Sequence, residues 1–376
     1  MIYLDNNATT ATHKDVAGFM YSIMKQPLNP SSIHASGRNA KNIMEQARIQ
    51  IKELIGIAPY SREYNIIFTA TGTEANNLIL SNFIDGDVFV STVEHLSILS
   101  QQDCYPDIKT IAVDDHGMVN LDSLTHLLSQ SKKSKKLVSV MLANNETGAI
   151  QPLKNIAKIA KQYGALVHSD CVQAVGKMVV DIADLDLDFA VISGHKFGGS
   201  IGAAALIAKT KHHLVPHIIG GKQEMGLRAG TENVAAIAGL GLAAKIAQAE
   251  LSQRIQHMRL LQQRLESNLG NIFPQITILS SIVPRIPNTS LISLPGMLSS
   301  LQVIALDLRE IAVSSGSACS SGKVNKSHVL KAMGVNAEIA ASAIRISTSP
   351  DNSVEDIDGF INAFKEIHVV EGSCQL

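Results

Sequence analysis

The 376-residue sequence has few cysteines, and they do not form a pattern. It contains four, Cys104, Cys171, Cys319 and Cys374, and no two of them make a C-x-x-C pair. Disulfide frameworks and zinc sites need regularly spaced cysteines, so neither is indicated. We expect a reducing compartment, where thiols stay free. The histidine-rich segment KHHLVPH contains Pro216, which disfavours a metal-binding helix, and we therefore expect no metal site.

A charge excess and membrane-targeting segments are also missing. The formal net charge is -1 at pH 7, whereas a nucleic-acid partner would favour a basic face. The first ten residues, MIYLDNNATT, show no basic region followed by an apolar run, as a signal peptide would. We find no apolar run near the roughly 20 residues of a membrane span. We therefore expect a cytoplasmic protein with no nucleic-acid or membrane partner.

Short apolar runs alternate with helical patterns between about residues 60 and 210. The runs that we interpret as buried strands are NIIFTA (65–70), DVFVS (87–91), LVSVMLA (137–143), ALVHSD (165–170), FAVIS (189–193) and AAALIA (203–208). Strands alternating with helices such as LKNIAKIAKQYG predict βαβ units and a mostly parallel sheet. A long helical pattern follows at about 235–269. We expect an α/β fold with a large domain at 14–248 and a smaller α+β domain formed by 1–13 and 249–376.

Residues that could react or bind a ligand follow several of these strands, at the edge where open α/β sheets bind their ligands. They are Gly72, Thr73, His95, Asn145, Asp170, Gln173, His195 and Lys196. Each alone fits a structural role better, such as a helix cap or a solvent-exposed lysine. Together they include a phosphate cradle at a helix start, an amine, a carboxylate and a histidine. Those are the parts that hold pyridoxal 5′-phosphate. No glycine-rich dinucleotide or nucleoside-triphosphate motif is present.

The segment SSGSACSSG, residues 314–322, places Cys319 among serines and glycines. Such a segment has little apolar area to pack and costs backbone entropy to fix. Two interpretations compete. One is a small residue in a surface loop, and the other is a thiolate nucleophile that has to move between two places.

With these motifs in order, the sequence resembles a pyridoxal-phosphate cysteine desulfurase of the NifS/IscS type, within the class V aminotransferase group. The resemblance covers nearly the whole chain. It is carried by YLDNNATT, NPSSIHASGR, TATGTEANN, VEH, NNETGAIQP, HSDCVQAVGK, SGHKFGG, GGKQEMGLRAGTENV, SSGSACSSG and AIRIS.

The resemblance implies a role for each site residue. Lys196 would bind the cofactor covalently, Asp170 would pair with its ring nitrogen and Gln173 with its ring hydroxyl. His95 would stack on the ring and transfer protons. The phosphate would be held by Gly72, Thr73, Ser193, His195 and, from the neighbouring subunit of a homodimer, Thr231. Asn145 and Arg345 would orient the substrate carboxylate. Cys319 would be the nucleophile, and its segment is similar to the extended mobile loop of one branch of the family and not to the shorter loop of the other branch. Cys319 would also be a candidate for a transient iron–sulfur ligand.

The resemblance also implies an activity: conversion of L-cysteine to L-alanine, with the sulfur passed as a persulfide from Cys319 to an acceptor such as an iron–sulfur scaffold protein. One alternative interpretation is an enzyme that uses the same cofactor, either a selenocysteine lyase or an aminotransferase. Another is a non-catalytic assembly scaffold. The chain departs from the usual pattern at Ser200 and Ile201, which precede Gly202 where relatives often have Pro-Lys-Gly, and at Met225, where arginine is common. It also has TSPDN after AIRIS instead of a glycine-containing turn.

Overall fold

The structure is a computed structural model that describes residues 1–103, 105, 108–315 and 327–369. Cys104, Cys319 and Cys374 lie outside these residues. The strands are β1 (Ile2–Tyr3), β2 (Tyr64–Thr69), β3 (Asp87–Ser91), β4 (Ile108–Ile111), β5 (Lys136–Ser139), β6 (Leu166–Asp170), β7 (Phe189–Ser193), β8 (Ala204–Lys209), β9 (Thr277–Ile278), β10 (Thr289–Ser293), β11 (Ile311–Ala312), β12 (Ser314–Ser315) and β13 (Ala343–Ser347).

The helices flank the sheets and join their strands. They are α1 (Lys14–Met24), α2 (Ala35–Leu54), α3 (Gly72–Ser81), α4 (Leu96–Leu99), α5 (Leu121–Gln130), α6 (Leu153–Gln162), α7 (Val234–Ile272), α8 (Ser299–Asp307), α9 (His328–Ala332), α10 (Ala337–Ser342) and α11 (Val354–Val369). The long helical pattern and the segment LKNIAKIAKQYG are confirmed as α7 and α6.

A seven-stranded, mostly parallel sheet forms the central layer. Its order is β2-β8-β7-β6-β5-β3-β4. The pairs among β7, β6, β5, β3 and β4 are parallel, and β8 runs antiparallel to both β2 and β7. All six predicted strands are present. β5 ends at Ser139, four residues earlier than the apolar run suggests, and β4 is an unpredicted edge strand.

Both faces of this sheet are buried, which explains its nearly continuous apolar strands. In β7 the side chains alternate between two cores: Ala190 and Ile192 belong to the core on one face, and Phe189 and Val191 to the core on the other. Successive strand residues point to opposite faces, so each strand supplies both cores. Helices α1, α2 and α7 contribute to the first core and α3 to the second.

A second, smaller sheet has its own core. Its order is β12-β13-β10-β9, with antiparallel pairs throughout, and β1 pairs in parallel with β11 nearby. Helix α7 spans both regions: Leu240 and Ala244 pack in the core of the large sheet, and Leu261 and Leu265 pack in that of the small sheet. The division at 248/249 remains a prediction, but it falls between these two groups of α7 residues.

Helix α7 is the one described helix that is long and apolar enough to cross a membrane, with a mean hydropathy of 1.4 over its most apolar stretch. The sequence-based expectation of no such stretch is therefore wrong by length and composition. However, 61% of that stretch is buried inside the fold, and Gly241 lies so close to α2 that an added Cβ would meet the Ala47 Cα at 2.5 Å. This packing is that of a core helix.

Candidate active site

A cavity of about 290 Å³ lies at the carboxyl edge of the large sheet and collects most of the predicted site residues. Its lining consists of Thr71, Gly72, Thr73, Asn76, His95, Ser97, Met141, Asn145, Asp170, Val172, Gln173, Ser193, His195 and Lys196. Nine of these are predicted site residues. They come from the ends of four strands and the start of one helix, which is where an open α/β sheet places its ligand. A larger cavity of about 610 Å³ between α2 and residues 222–225 contains none of them.

The start of α3 forms the end of the cavity that could hold a phosphate. Thr71 caps the helix by accepting a hydrogen bond from the Glu74 N–H at 3.0 Å. The following N–H groups of Gly72 and Thr73 stand at the positive end of the helix dipole, which favours an anion. A Cβ on Gly72 would approach the Val172 Cγ2 to 3.2 Å, so glycine permits this close packing beside the cavity.

Lys196 ends the short 3-10 turn Gly194–Lys196 that follows β7. Its Nζ donates hydrogen bonds to the backbone oxygens of Asn7 at 2.6 Å and Ala8 at 2.8 Å. Burial, and then the nearby positive charge of Arg345, lower the pKa of Lys196 to about 8. At pH 7 this raises the neutral amine fraction roughly 300-fold over that of an ordinary lysine. The neutral amine is the nucleophilic form, as an attachment site for an aldehyde requires.

Asp170, at the end of β6, is held in a fixed orientation. Its Oδ1 accepts from the Val172 N–H at 3.0 Å, and its Oδ2 accepts from the Asn76 Nδ2 at 2.8 Å. Asp170 as a whole is 6% exposed. A buried carboxylate with its orientation fixed on both oxygens is suited to pair with a protonated ring nitrogen.

Two histidines face the cavity in neutral form. Burial lowers the pKa of His95, and burial together with Lys196 and Lys177 lowers that of His195 to about 4. The His95 Nδ1 accepts from the Ser97 N–H at 3.1 Å, as the cap of α4. Because Nδ1 is an acceptor, the proton of the neutral ring is on Nε2. His95 can therefore give or take a proton at a defined atom.

Arg345 on β13 reaches this region from the small sheet. Its Nη1 donates to the Asn145 backbone oxygen at 2.9 Å, and its Nη2 donates to the Asp5 Oδ1 at 2.6 Å. Two buried polar atoms here lack a partner within the described residues: the Arg345 Nε and the Asn145 Oδ1. An unpaired buried group costs free energy, so a ligand that pairs with these two atoms would recover that cost. Arg345 itself does not line the cavity.

Thr231 is apart from these residues within one chain. It lines a different cavity of about 310 Å³, together with Arg228, Glu232 and Asn233. Its predicted role is to bind the phosphate in the site of the neighbouring subunit. That role stays a prediction, because the structure describes one chain. Cys319 lies outside the described residues.

Sequence reasoning misses three residues that orient the predicted ones: Asn76, Asn7 and Asp5. Asn76 belongs to TGTEANN, one turn into α3, where helical spacing could have aligned it with Thr73. Asn7 and Asp5 belong to LDNNATT, which the sequence marks as a motif without assigning it a partner. The predicted site residues that they contact lie 94 to 340 positions away along the chain, as with Asn76–Asp170 and Asp5–Arg345. Only the fold reveals these contacts.

The residues present fit pyridoxal 5′-phosphate. The cavity offers an amine with a lowered pKa, a fixed carboxylate, the N–H groups of a helix start and the unpartnered Oδ1 of Asn145. Each corresponds to one part of that cofactor: its aldehyde, ring nitrogen, phosphate and substrate-facing side.

Comparisons with known proteins agree with this assignment. Residues 2–360 match the family Aminotransferase class-V. A cysteine desulfurase of Sinorhizobium fredii is 38% identical over 372 residues, covering 95% of this chain and 94% of that protein. The X-ray structure of a NifS-like protein from Rickettsia africae has a TM-score of 0.93 and 49% identity, covering 98% of this chain and 99% of that one. A structure of SspA in complex with cysteine has a TM-score of 0.79 and 26% identity, covering 94% and 100%.

The chain therefore belongs to the class-V aminotransferase family of pyridoxal-phosphate enzymes, which have fold type I. The predicted resemblance, fold class and cofactor are confirmed.

The low pKa of Lys196 gives the first testable prediction. Since the neutral amine forms as pH rises through the pKa, the rate at which cofactor-free protein captures pyridoxal phosphate should rise with pH and level off above about 8. Arg345→Gln removes a positive charge that lowers this pKa, so its rate profile should move to higher pH. Arg264→Gln, at a surface ion pair with Asp358, is the matched control. A wild-type midpoint near the ordinary 10.5, read from cofactor absorbance, would contradict the assignment.

Proposed function

We propose that the protein is a cysteine desulfurase. It converts L-cysteine to L-alanine and places the substrate sulfur on Cys319 as a persulfide. The observation that carries the proposal is the meeting of Lys196, Asp170 and His95 around one cavity, in a chain whose full-length relatives include cysteine desulfurases. The cysteine bound to the related SspA supports the choice of substrate.

Bound pyridoxal phosphate would supply an electron sink for negative charge at the substrate carbon. Lys196 would hold the cofactor through Nζ, and Asp170 would stabilise a proton on the ring nitrogen. Gln173 would face the ring oxygen, while Gly72, Thr73, Ser193 and His195 would bind the phosphate. His95 would move a proton at Nε2. These assignments rest on cavity lining and hydrogen bonds.

The substrate carboxylate would be bound by Arg345 and Asn145. The unpartnered Nε of Arg345 is a charged donor, and hydrogen bonds from charged donors to a carboxylate are roughly twice as strong as neutral ones. Its other two nitrogens are engaged with Asp5 and the Asn145 backbone. These contacts fix the guanidinium plane before the substrate arrives, which reduces the entropy lost on binding.

Residues 316–326, which include Cys319, connect two points anchored near the cavity. On one side Ser314 is the strand partner of Arg345 in the β12–β13 pair. On the other side the Ser327 Oγ donates to the Glu146 Oε2 at 2.6 Å, next to Asn145. This placement supports Cys319 as the nucleophile, because both ends of its segment are tied to residues beside the predicted substrate position.

In the proposed reaction the Cys319 thiolate attacks the substrate sulfur. The carbon–sulfur bond breaks, a sulfur–sulfur bond forms, and the substrate carbon takes a proton to become alanine. The products are L-alanine and a Cys319 persulfide, so no external oxidant is consumed. The persulfide would then pass to an acceptor such as an iron–sulfur scaffold protein, in the cytoplasm. An aminotransferase would need no thiol, and a selenocysteine lyase would release selenium.

Cys319→Ser tests the nucleophile. A serine hydroxyl is a far weaker nucleophile than a thiolate, so persulfide should vanish and alanine production should fall on the order of 100-fold. Pyridoxal-phosphate absorbance should stay. Cys104→Ser and Cys374→Ser are the matched controls. The measurement is peptide mapping by mass spectrometry after brief exposure to L-cysteine without reductant.

Cys171 provides an internal comparison for the mapping, because it is fully buried and burial raises its thiol pKa to about 12. It should gain no sulfur. Added sulfur on any cysteine other than Cys319, with Cys319 unmodified, would overturn the proposal.

A homodimer in which Thr231 completes the phosphate site of the neighbouring subunit gives a separate prediction. Lys196→Ala and Thr231→Glu chains should each be inactive alone, the second because its carboxylate repels the phosphate. Mixed dimers would hold one intact site, so co-expression should restore roughly a quarter of wild-type activity. If Thr231 acts within its own chain, no dimer has an intact site. Absence of recovery, with mixed dimers verified by two affinity tags, contradicts the shared site.

A further inference from the structure

Lys177 is a second lysine beside the cavity, and none of the roles given above uses it. It follows β6 by seven residues and is 4% exposed. Its Nζ donates to the Gln173 Oε1 at 2.7 Å and to the Asn7 Oδ1 at 2.8 Å. Burial, and then the positive charges of Lys196 and Arg345, lower its pKa well below the ordinary value. Among the described residues it forms no ion pair.

A buried amine without a carboxylate partner is costly, so packing alone does not explain it. Methionine has nearly the same length and would fill the same space without the desolvation cost. What methionine lacks is the pair of N–H groups that Lys177 directs at two side-chain oxygens. A neutral amine and an ammonium both possess these two N–H groups, so this function is independent of the protonation state of Lys177.

The contacts of Gln173 define which way its amide points. Its Oε1 accepts from Lys177, and its Nε2 donates to the Asn7 backbone oxygen at 3.0 Å. A 180° flip of the amide would break both hydrogen bonds and set the Gln173 oxygen against a carbonyl oxygen. Gln173 lines the cavity, and Nε2 has two N–H groups, so its second N–H is available to a ligand.

We infer that Lys177 is a positioning residue: it fixes the Gln173 amide so that the cavity receives an N–H donor and not a carbonyl oxygen. This rests on the proposed function, in which Gln173 faces the ring oxygen of pyridoxal phosphate. An oxygen that carries negative charge is stabilised by an N–H and repelled by a carbonyl. Lys177 therefore acts on the bound cofactor through Gln173, without touching it.

The same residues align Lys196. Asn7 accepts from Lys177 through its side chain and from Lys196 through its backbone oxygen. Loss of Lys177 leaves the Asn7 Oδ1 with its contact from the Asn288 Nδ2 at 3.1 Å, so Asn7 is held from a second side. The Gln173 Oε1 has no such second partner among the described contacts. The effect of Lys177→Met should therefore fall mainly on Gln173.

The experiment is a double-mutant cycle on the full chain with Lys177→Met, Gln173→Ala and the combined variant. Lys209→Met is the matched control, a lysine 7% exposed that bonds Asp186 away from the cavity. The readouts are the dissociation constant of pyridoxal phosphate and the position of its absorbance band. Thermal unfolding of each cofactor-free variant establishes that it is folded, and Lys177→Gln, which keeps an N–H donor, is a rescue variant.

Lys177→Met should weaken cofactor binding roughly tenfold, the effect of one oriented hydrogen bond, and shift the absorbance band. Adding Lys177→Met to Gln173→Ala should cost no more than about twofold, since both act through one contact. Lys177→Gln should recover part of the affinity, and Lys209→Met should resemble wild type.

Two results would overturn the inference. One is wild-type affinity and absorbance in Lys177→Met, and the other is full additivity with Gln173→Ala. A wild-type chain that binds no pyridoxal phosphate would overturn both the proposed function and this inference. If the wild-type chain binds the cofactor and either of the two results above is seen, the inference alone fails.

Discussion

The hydrogen bonds of Asn7 hold the candidate site together. Its backbone oxygen accepts from Lys196 and Gln173, both of which follow strands of the large sheet. Its side chain connects to the other parts of the site through Lys177, Asn145, Asn288 and Thr289. One residue of the N-terminal segment thus joins the large sheet to the small one, and the side chains expected to bind cofactor and substrate are aligned through it. A buried hydrogen-bond network of this kind stabilises one arrangement of its side chains only when every polar group in it has a partner.

The site concentrates positive charge with few carboxylates to balance it. After burial, the positive charges of Lys196 and Arg345 lower the pKa of Lys177, and that of Arg345 lowers the pKa of Lys196, while Asp170 and Asp5 raise the pKa of Lys196. A buried cavity of this kind favours anions: a phosphate, a substrate carboxylate and a thiolate. Burial, and then the charge of Arg345, also lower the pKa of Lys196 to about 8, which raises the neutral fraction of its amine. The positive charge of Arg345 therefore contributes both to anion binding and to the reactivity of the Lys196 amine.

Much of the fold could be predicted because its signals are local. Continuous apolar strands such as FAVIS, and the helical spacing of α7, arise from burial on both faces of a sheet and along a helix. The strand-end rule also predicted that Asp170, His95 and Lys196 would meet. It could not predict Asn76, Asn7 or Lys177, because their roles depend on contacts between distant segments. Edge strand β4, with the partly polar sequence IKTI, lacks the apolar pattern that marks the inner strands.

Covalent attachment of the cofactor tests the central claim most directly. The protein as purified should be treated with pyridoxal phosphate, reduced with borohydride, digested and mapped by mass spectrometry. The two buried lysines of the site are distinguishable, since Lys177 and Lys196 can be separated into different peptides. The account predicts the reduced adduct on Lys196, whose amine has a pKa of about 8, and none on Lys177. An adduct on Lys177 or on a surface lysine, with Lys196 unmodified, would contradict it.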